Sequence, residues 1–154
     1  LFSLSNLKNR ERISKAVEEL TLLNYSTLTI GLYLLTIGTF LGAIWANESW
    51  GRYWGWDPKE TWSLITLVIY SIVIHSRMIK SLRSIFVFNI LSLFAFSSVL
   101  MTYFGVNYYL SGLHSYASGD PIPVPTFVYI SIISLMLLSI FASIKYKQFG
   151  NTDK

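Results

Sequence analysis

The sequence predicts an all-α integral membrane protein with about four transmembrane helices. Of its 154 residues, 53% are hydrophobic and only 13% are charged, whereas an ordinary soluble domain carries about 25% charged residues. The charges are also unevenly placed, because the stretches 20–47, 61–76, 84–119 and 121–144 contain none. A membrane-spanning helix needs about 20 apolar residues, so each stretch except the second is long enough by itself.

The basic residues predict the orientation of these helices. With spans at 25–46, 60–78, 84–105 and 125–145, ten of the 12 Lys and Arg residues fall on one side of the membrane. Such an excess marks the cytoplasmic side, or the stromal side of a plastid membrane. Both termini are therefore expected on that side, with two outer loops at 47–59 and 106–124 that together form a ligand site.

The ends of the chain are predicted to lie outside the bilayer. Residues 10–23 have the apolar spacing of a short amphipathic helix, so residues 1–24 are expected to form an interfacial segment. The membrane domain then covers 25–145, and 146–154 form a cytoplasmic tail. Because the sequence begins with Leu1 rather than Met, we expect it to be a piece of a longer or processed protein.

The composition excludes several classes of function. The chain has no cysteine, so it has no disulfide, no thiolate metal site and no Cys-x-x-Cys-His motif of a c-type cytochrome. No nucleotide-binding loop or hydrolytic triad is visible. The net charge of +4 follows from membrane orientation, so nucleic acid is not an expected partner.

Tryptophan is concentrated in the first predicted outer loop and its flanks. An aromatic belt at a membrane surface explains one or two tryptophans at a helix end. A cluster interleaved with charged side chains instead suits a large planar ligand that has an apolar face and charged edges. Both interpretations stay open from composition alone. All five tryptophans lie within 18 residues: Trp45, Trp50, Trp54, Trp56 and Trp62.

The chain has two histidines, which are candidates for binding a metal or haem iron. His114 lies in the second predicted outer loop, on the same side as the tryptophans. His75 lies near the inner end of the second span, where an ionisable side chain is a functional candidate. The alternative for each is an ordinary hydrogen-bonded histidine. Because they are expected near opposite membrane faces, they should not ligate the same iron.

Four segments of the sequence resemble the WWD domain of the CcsA (ResC) cytochrome c biogenesis family, which some bacteria carry fused as CcsBA. The tryptophan motif is specific, and the resemblance covers roughly residues 20–145. The matching segments are Gly42-Ala43-Ile44-Trp45-Ala46, Trp50-Gly51 with Trp54 and Trp56-Asp57-Pro58-Lys59-Glu60-Thr61-Trp62, His75-Ser76-Arg77, and Gly112-Leu113-His114-Ser115-Tyr116-Ala117.

The resemblance implies that the protein acts in the System II pathway of cytochrome c biogenesis. Haem b, the substrate, would cross to an outer site and be attached by thioether bonds to the Cys-x-x-Cys-His motif of apocytochrome c. His114 would ligate the outer haem iron, and His75 would serve an intramembrane haem. The implied haem contacts are Trp45, Trp50, Trp54, Trp56, Asp57 and Trp62. The family has a second outer histidine upstream of the tryptophans, which this chain lacks, so the chain resembles the C-terminal part of the protein.

The resemblance further implies a CcsB (ResB) type partner, or a fused N-terminal part, in a holocytochrome c synthase (haem lyase) complex. The membrane would be the bacterial inner membrane, or the thylakoid membrane if the protein is plastid-encoded. Two alternatives remain: a CcmC-like haem transporter or chaperone without synthase activity, and a structural subunit whose aromatic belt binds no haem. From their charges, Lys59 or Arg52 are candidates to pair with haem propionates, whereas Asp57 and Glu60 are expected to have a structural role.

Overall fold

A computed structural model describes residues 2–110 and 123–152, and all regular structure in these ranges is helical. Its elements fall into two units, the first containing α1 to α4 and the second containing α5. The predicted all-α class is therefore confirmed for the described residues. The elements are α1 (Phe2–Trp50), α2 (Pro58–Ser76), α3 (Ile85–Leu100), a π-helical turn (Met101–Gly105), α4 (Val106–Tyr109) and α5 (Thr126–Thr152).

Three helical segments are long and apolar enough to cross a bilayer: Asn9–Trp50, Ile85–Tyr109 and Thr126–Tyr146. They fit a multi-pass integral membrane protein. The second predicted span, 60–78, also forms a helix, α2, but it is not among these three segments. The total of four spans therefore stays a prediction.

The helix boundaries differ from the predicted ones because residues 47–50 and 106–109, expected in loops, contain no glycine or proline to end a helix. Helix α1 joins the predicted lead-in segment 10–23 to the first span and continues to Trp50, with no proline along its length. The first loop therefore covers 51–57 rather than 47–59. Likewise, helical structure continues to Tyr109, so the predicted start of the second loop at 106 is wrong.

The core of the first unit lies where α1, α2 and α3 meet. Phe88 of α3 is fully buried and packs with Tyr70 and Val73 of α2. The ring of Tyr25 on α1 covers the same cluster, with its centroid 5.9 Å from that of Phe88. Aromatic packing of this kind holds helices together even where lipid removes the hydrophobic driving force.

Polar contacts join the three helices at the end of the bundle that holds Arg77, called here the Arg77 end. The amide of Asn89 donates a 2.8 Å hydrogen bond to the hydroxyl of Thr21, and Asn24 donates to Asn89 at 3.4 Å. The guanidinium of Arg77 lies over the ring of Tyr25. These contacts fix the register of α3 against α1, which in turn positions the opposite, tryptophan end of the bundle.

Candidate functional site

The last turns of α1 carry the first two tryptophans of the candidate site. Trp45 lies on the helix as predicted, and Trp50 lies on it rather than in the loop, which corrects the predicted boundary. Their rings meet edge to face, with centroids 5.0 Å apart. Trp45 is 56% exposed, so this pair presents an apolar surface beside the end of α1.

The short loop 51–57, called here the tryptophan loop, carries two further tryptophans, Trp54 and Trp56. Gly51 has φ +69°, which turns the chain sharply after α1 and is readily accessible only to glycine. The rings of Trp54 and Trp56 also meet edge to face, at 5.9 Å. Trp56 has φ +57° and is 72% exposed. A bulky residue in this strained conformation is uncommon and is typical of functional sites.

A capping box at the start of α2 holds the tryptophan loop in place. The carboxylate of Asp57, which is almost fully buried, accepts a hydrogen bond from the backbone N–H of Lys59 at 3.2 Å. The carboxylate of Glu60 accepts from the N–H of Asp57 at 3.3 Å and from that of Gly55 at 2.7 Å. Both carboxylates thus satisfy N–H groups that the helix start leaves free. This arrangement agrees with the structural role expected for them.

Gly55 lies directly under the side chain of a neighbouring loop residue. A methyl group at its Cα would lie 2.7 Å from the guanidinium carbon of Arg52. Arg52 therefore folds back over the loop that contains it. The absence of a side chain at Gly55 keeps the loop compact between Trp54 and Trp56.

An apolar groove of about 480 Å³ runs between α1, the tryptophan loop and the start of α2. On α1 the groove is lined by both small and large residues, and no atom lies within 4 Å of a methyl group placed on Gly38 or Gly42. Its charged residues, Lys59 and Glu60, occur only where α2 begins, so the groove has an apolar body and a polar edge. The lining residues are Leu34, Leu35, Gly38, Thr39, Gly42, Ala43, Trp45, Ala46, Tyr53, Trp54, Lys59, Glu60 and Ser63.

The start of α2 is also tied to the end of the third helix. The Lys59 ammonium donates a 2.9 Å hydrogen bond to the side-chain oxygen of Asn107 on α4, and Asn107 is buried. About two turns further along α2, the hydroxyls of Thr66 and Thr102 lie 2.9 Å apart. Backbone oxygens at 2.8 Å (Ser98) and 3.2 Å (Trp62) are positioned to accept a hydrogen bond from Thr102.

The structure describes only one of the two predicted histidine ligands. His114 lies outside the described residues. His75 is exposed, 13 residues after Trp62 on α2, which places it about 20 Å away along the helix. Its Nδ1 lies 2.7 Å from the backbone oxygen of Ser71. Because a carbonyl oxygen only accepts, this contact is a hydrogen bond in which Nδ1 donates, and Nε2 is the ring nitrogen left for another partner.

The structure brings together only some of the predicted site residues. Trp45 and Trp54 share the groove, whereas Trp62 lies on α2 and His75 lies toward the Arg77 end. Sequence reasoning missed Asn107. An amide beside Gly105 and Val106 in an otherwise apolar helix was the available signal, because polar side chains at membrane depth usually have a partner.

The fold and the site together define a multi-pass membrane protein with an aromatic, polar-edged groove at one end of its helices. Comparison with known proteins identifies the class more closely. Residues 1–114 match the family described as Cytochrome C assembly protein. The chain belongs to this family, and the predicted resemblance to CcsA-type proteins is confirmed.

Several curated relatives are similar over most of this chain. It is 51% identical over 142 residues to Protein NrfI of Wolinella succinogenes, which covers 92% of this chain and 16% of NrfI. It is 46% identical over 112 residues to the cytochrome c biogenesis protein CcsA of Pyropia yezoensis, covering 73% of this chain and 35% of that protein. CcsA of Marchantia polymorpha is 47% identical over 116 residues, covering 75% and 35%. The chain thus spans only a sixth to about a third of these relatives.

Proposed function

We propose that this chain handles haem b during cytochrome c biogenesis, by the System II route. It would receive haem within the membrane and present it at the tryptophan end for covalent attachment to apocytochrome c. The observation that carries this proposal is the groove beside the tryptophan loop, where exposed indole rings flank an apolar space with a polar edge. Family membership and the similarity to proteins named for cytochrome c biogenesis support it.

The groove suits haem in shape and chemistry. Its apolar body, bounded by Trp45 and Trp54, offers faces on which a planar macrocycle can pack. The propionates of haem need cations, and Arg52 is exposed in the tryptophan loop. Lys59 lines the groove, but its ammonium also donates to Asn107, so Arg52 is the better candidate.

We assign axial ligation of the haem iron to the two histidines. His114 would ligate iron at the outer site, and His75 would serve an intramembrane station. The outward Nε2 of His75 has the lone pair that such a ligand needs. Each haem needs a second axial ligand from another part of the protein, because this chain has no third histidine.

The chemistry requires positioning rather than an acid or base on this chain. A thioether forms when a cysteine thiol of apocytochrome c adds its sulfur and its proton across a haem vinyl group. Holding the vinyl edges toward the Cys-x-x-Cys-His thiols is therefore the main contribution expected of the protein. A CcsB (ResB) type partner or fused segment would complete a holocytochrome c synthase. The site would face the outside of a bacterial inner membrane, or the lumen of a thylakoid.

The proposal is tested by the absorption spectrum of the detergent-purified full-length protein. Wild type should show a six-coordinate haem spectrum, His114→Ala should lose or alter it, and His75→Ala should alter it only if haem uses two stations. A wild-type protein without haem would support the alternative of an aromatic belt. An unchanged spectrum in His114→Ala would remove the ligand assignment.

A second candidate function is a CcmC-like haem transporter or chaperone. The same groove supports this second function, since a protein can bind haem without attaching it covalently to apocytochrome c. Apocytochrome c supplied to the haem-loaded full-length protein distinguishes the two. Formation of covalent holocytochrome supports the synthase module, and haem binding without covalent product supports the chaperone.

A further inference from the structure

We propose that Asn107 is a positioning residue for the tryptophan loop, and that it acts through Lys59. This inference rests on the proposed function only for its consequence on haem. The contacts that support the positioning role lie within residues 51–60 and 101–107. It assigns a role to the π-helical turn and to a buried amide that neither the motif nor the family resemblance explains.

The π-helical turn decides which way Asn107 points. The backbone N–H of Val106 donates to the oxygen of Met101, five residues back, rather than four as in an α-helix. One extra residue in a turn rotates all later side chains by about 100° around the axis. Gly105, Val106 and Asn107 are consequently buried, whereas Tyr103 and Tyr108 are exposed.

Gly105 permits this geometry. A methyl group on its Cα would overlap the sulfur of Met101, so the side chain of Met101 occupies the space where a larger residue would project. Single π turns inside α-helices are frequently found at functional sites. Here the turn brings an amide to face the start of α2.

A continuous series of contacts then leads from Asn107 to the tryptophans. The Asn107 oxygen accepts from the Lys59 ammonium at 2.9 Å. The backbone N–H of Lys59 donates to Asp57, and the next residue, Glu60, binds the N–H groups of Asp57 and Gly55. Trp54 and Trp56 flank Gly55 directly. Removing the acceptor at 107 takes away one of the contacts that hold the first turn of α2, and we expect this to loosen the base of the loop.

The hydrogen bond between Lys59 and Asn107 is strong enough to help hold the start of α2 in place. A hydrogen bond from a charged donor is about twice as strong as a neutral one. Asn107 is buried, so water does not easily replace its partner. Asparagine also fixes the ammonium without neutralising it, which leaves the positive charge of Lys59 at the polar edge of the groove.

The test uses the full-length protein in detergent, with variants Asn107→Leu and Asn107→Asp. Two readouts are measured: the rate of tryptic cleavage after Arg52 in the tryptophan loop, and haem occupancy from the absorption spectrum. Asn107→Leu should raise the cleavage rate at least threefold relative to cleavage after Arg83. It should also lower haem occupancy at least twofold. Asn107→Asp should resemble wild type, because a carboxylate also accepts from Lys59.

A matched control is Asn89→Leu, which removes a comparable interhelical bond, Asn89 to Thr21, at the Arg77 end. It should leave cleavage after Arg52 unchanged. An unchanged cleavage rate in Asn107→Leu, or an equal rise in Asn89→Leu, would overturn the positioning role. A wild-type protein without haem would overturn the proposed function instead, while the cleavage readout would still decide the role of Asn107.

Discussion

The guanidinium carbon of Arg77 lies 5.3 Å from the ring centroid of Tyr25 and 5.6 Å from that of Phe88. One cation thus contacts aromatic rings from two different helices, just after the end of α2. A cation over an aromatic face is stabilising, and more so when it is partly desolvated. Arg77 therefore joins all three helices of the first unit at a single point.

Replacing Arg77 with Gln should destabilise the first unit by about 1 kcal/mol, because both cation–π contacts are lost. Thermal unfolding of the purified protein, followed by circular dichroism, measures this change. Lys80→Gln is the matched control, since Lys80 is exposed in the same connection and should have little effect. Equal losses from both variants would show that the net charge of the connection matters rather than the ring contacts.

Asp57→Ala should destabilise the start of α2 by about 1 kcal/mol, the usual cost of losing a helix cap. The expected readouts are a lower unfolding temperature and a change in tryptophan emission, because the loop beside Trp56 loses its anchor. Asp57→Asn retains a capping oxygen and should stay near wild type. If the Asn variant is as damaged as the Ala variant, the carboxylate charge is required and the capping explanation fails.

Gly105→Ala should destabilise the protein by about 1–2 kcal/mol, since the added methyl group overpacks against Met101. Adding Met101→Ala to this variant should restore part of the stability, as unfolding temperature will show. Gly31→Ala is the control, because no atom lies within 4 Å of a methyl group at that position. It should be neutral or stabilising, as Ala favours a helix over Gly. A loss at Gly31 equal to that at Gly105 would point to helix flexibility instead.

Trp56→Gly should have opposite effects on stability and on haem binding. Glycine removes the strain of φ +57°, which is worth about 1 kcal/mol, so the unfolding temperature should rise. The same change deletes an exposed indole of the tryptophan loop, so haem occupancy of the full-length protein should fall. Trp56→Asn tolerates this conformation as well and should behave similarly. A variant that keeps full haem occupancy would show that the Trp56 ring does not contact haem.

The general architecture could be predicted because charge-free stretches and aromatic clusters are visible in the sequence. Helices were expected over 60–78 and 84–105, and α2 and α3 occupy those regions. Loop ends were predicted less well. The first predicted span ended at residue 46, whereas α1 ends at Trp50, directly before Gly51, whose positive φ is typical of a glycine that terminates a helix.

The polar contacts of the site could be predicted only in part. The sequence led us to expect a structural role for Asp57 and Glu60, but not the capping box that they form at the start of α2. The contact between Lys59 and Asn107 joins residues 48 positions apart. It depends on the π-helical turn, a rotation that hydrophobic periodicity does not reveal. Long-range pairing of this kind follows from packing, not from any local pattern.

Helix α1 is 49 residues long, or about 74 Å, more than twice the roughly 30 Å hydrocarbon thickness of a bilayer. Its backbone is a single hydrogen-bonded rod without proline, so it resists torsion better than two helices joined by a loop. An unbroken helical backbone thus separates Arg12 from Trp45 by about 50 Å. Because α1 is so much longer than the hydrocarbon layer is thick, roughly half of its residues must lie outside that layer.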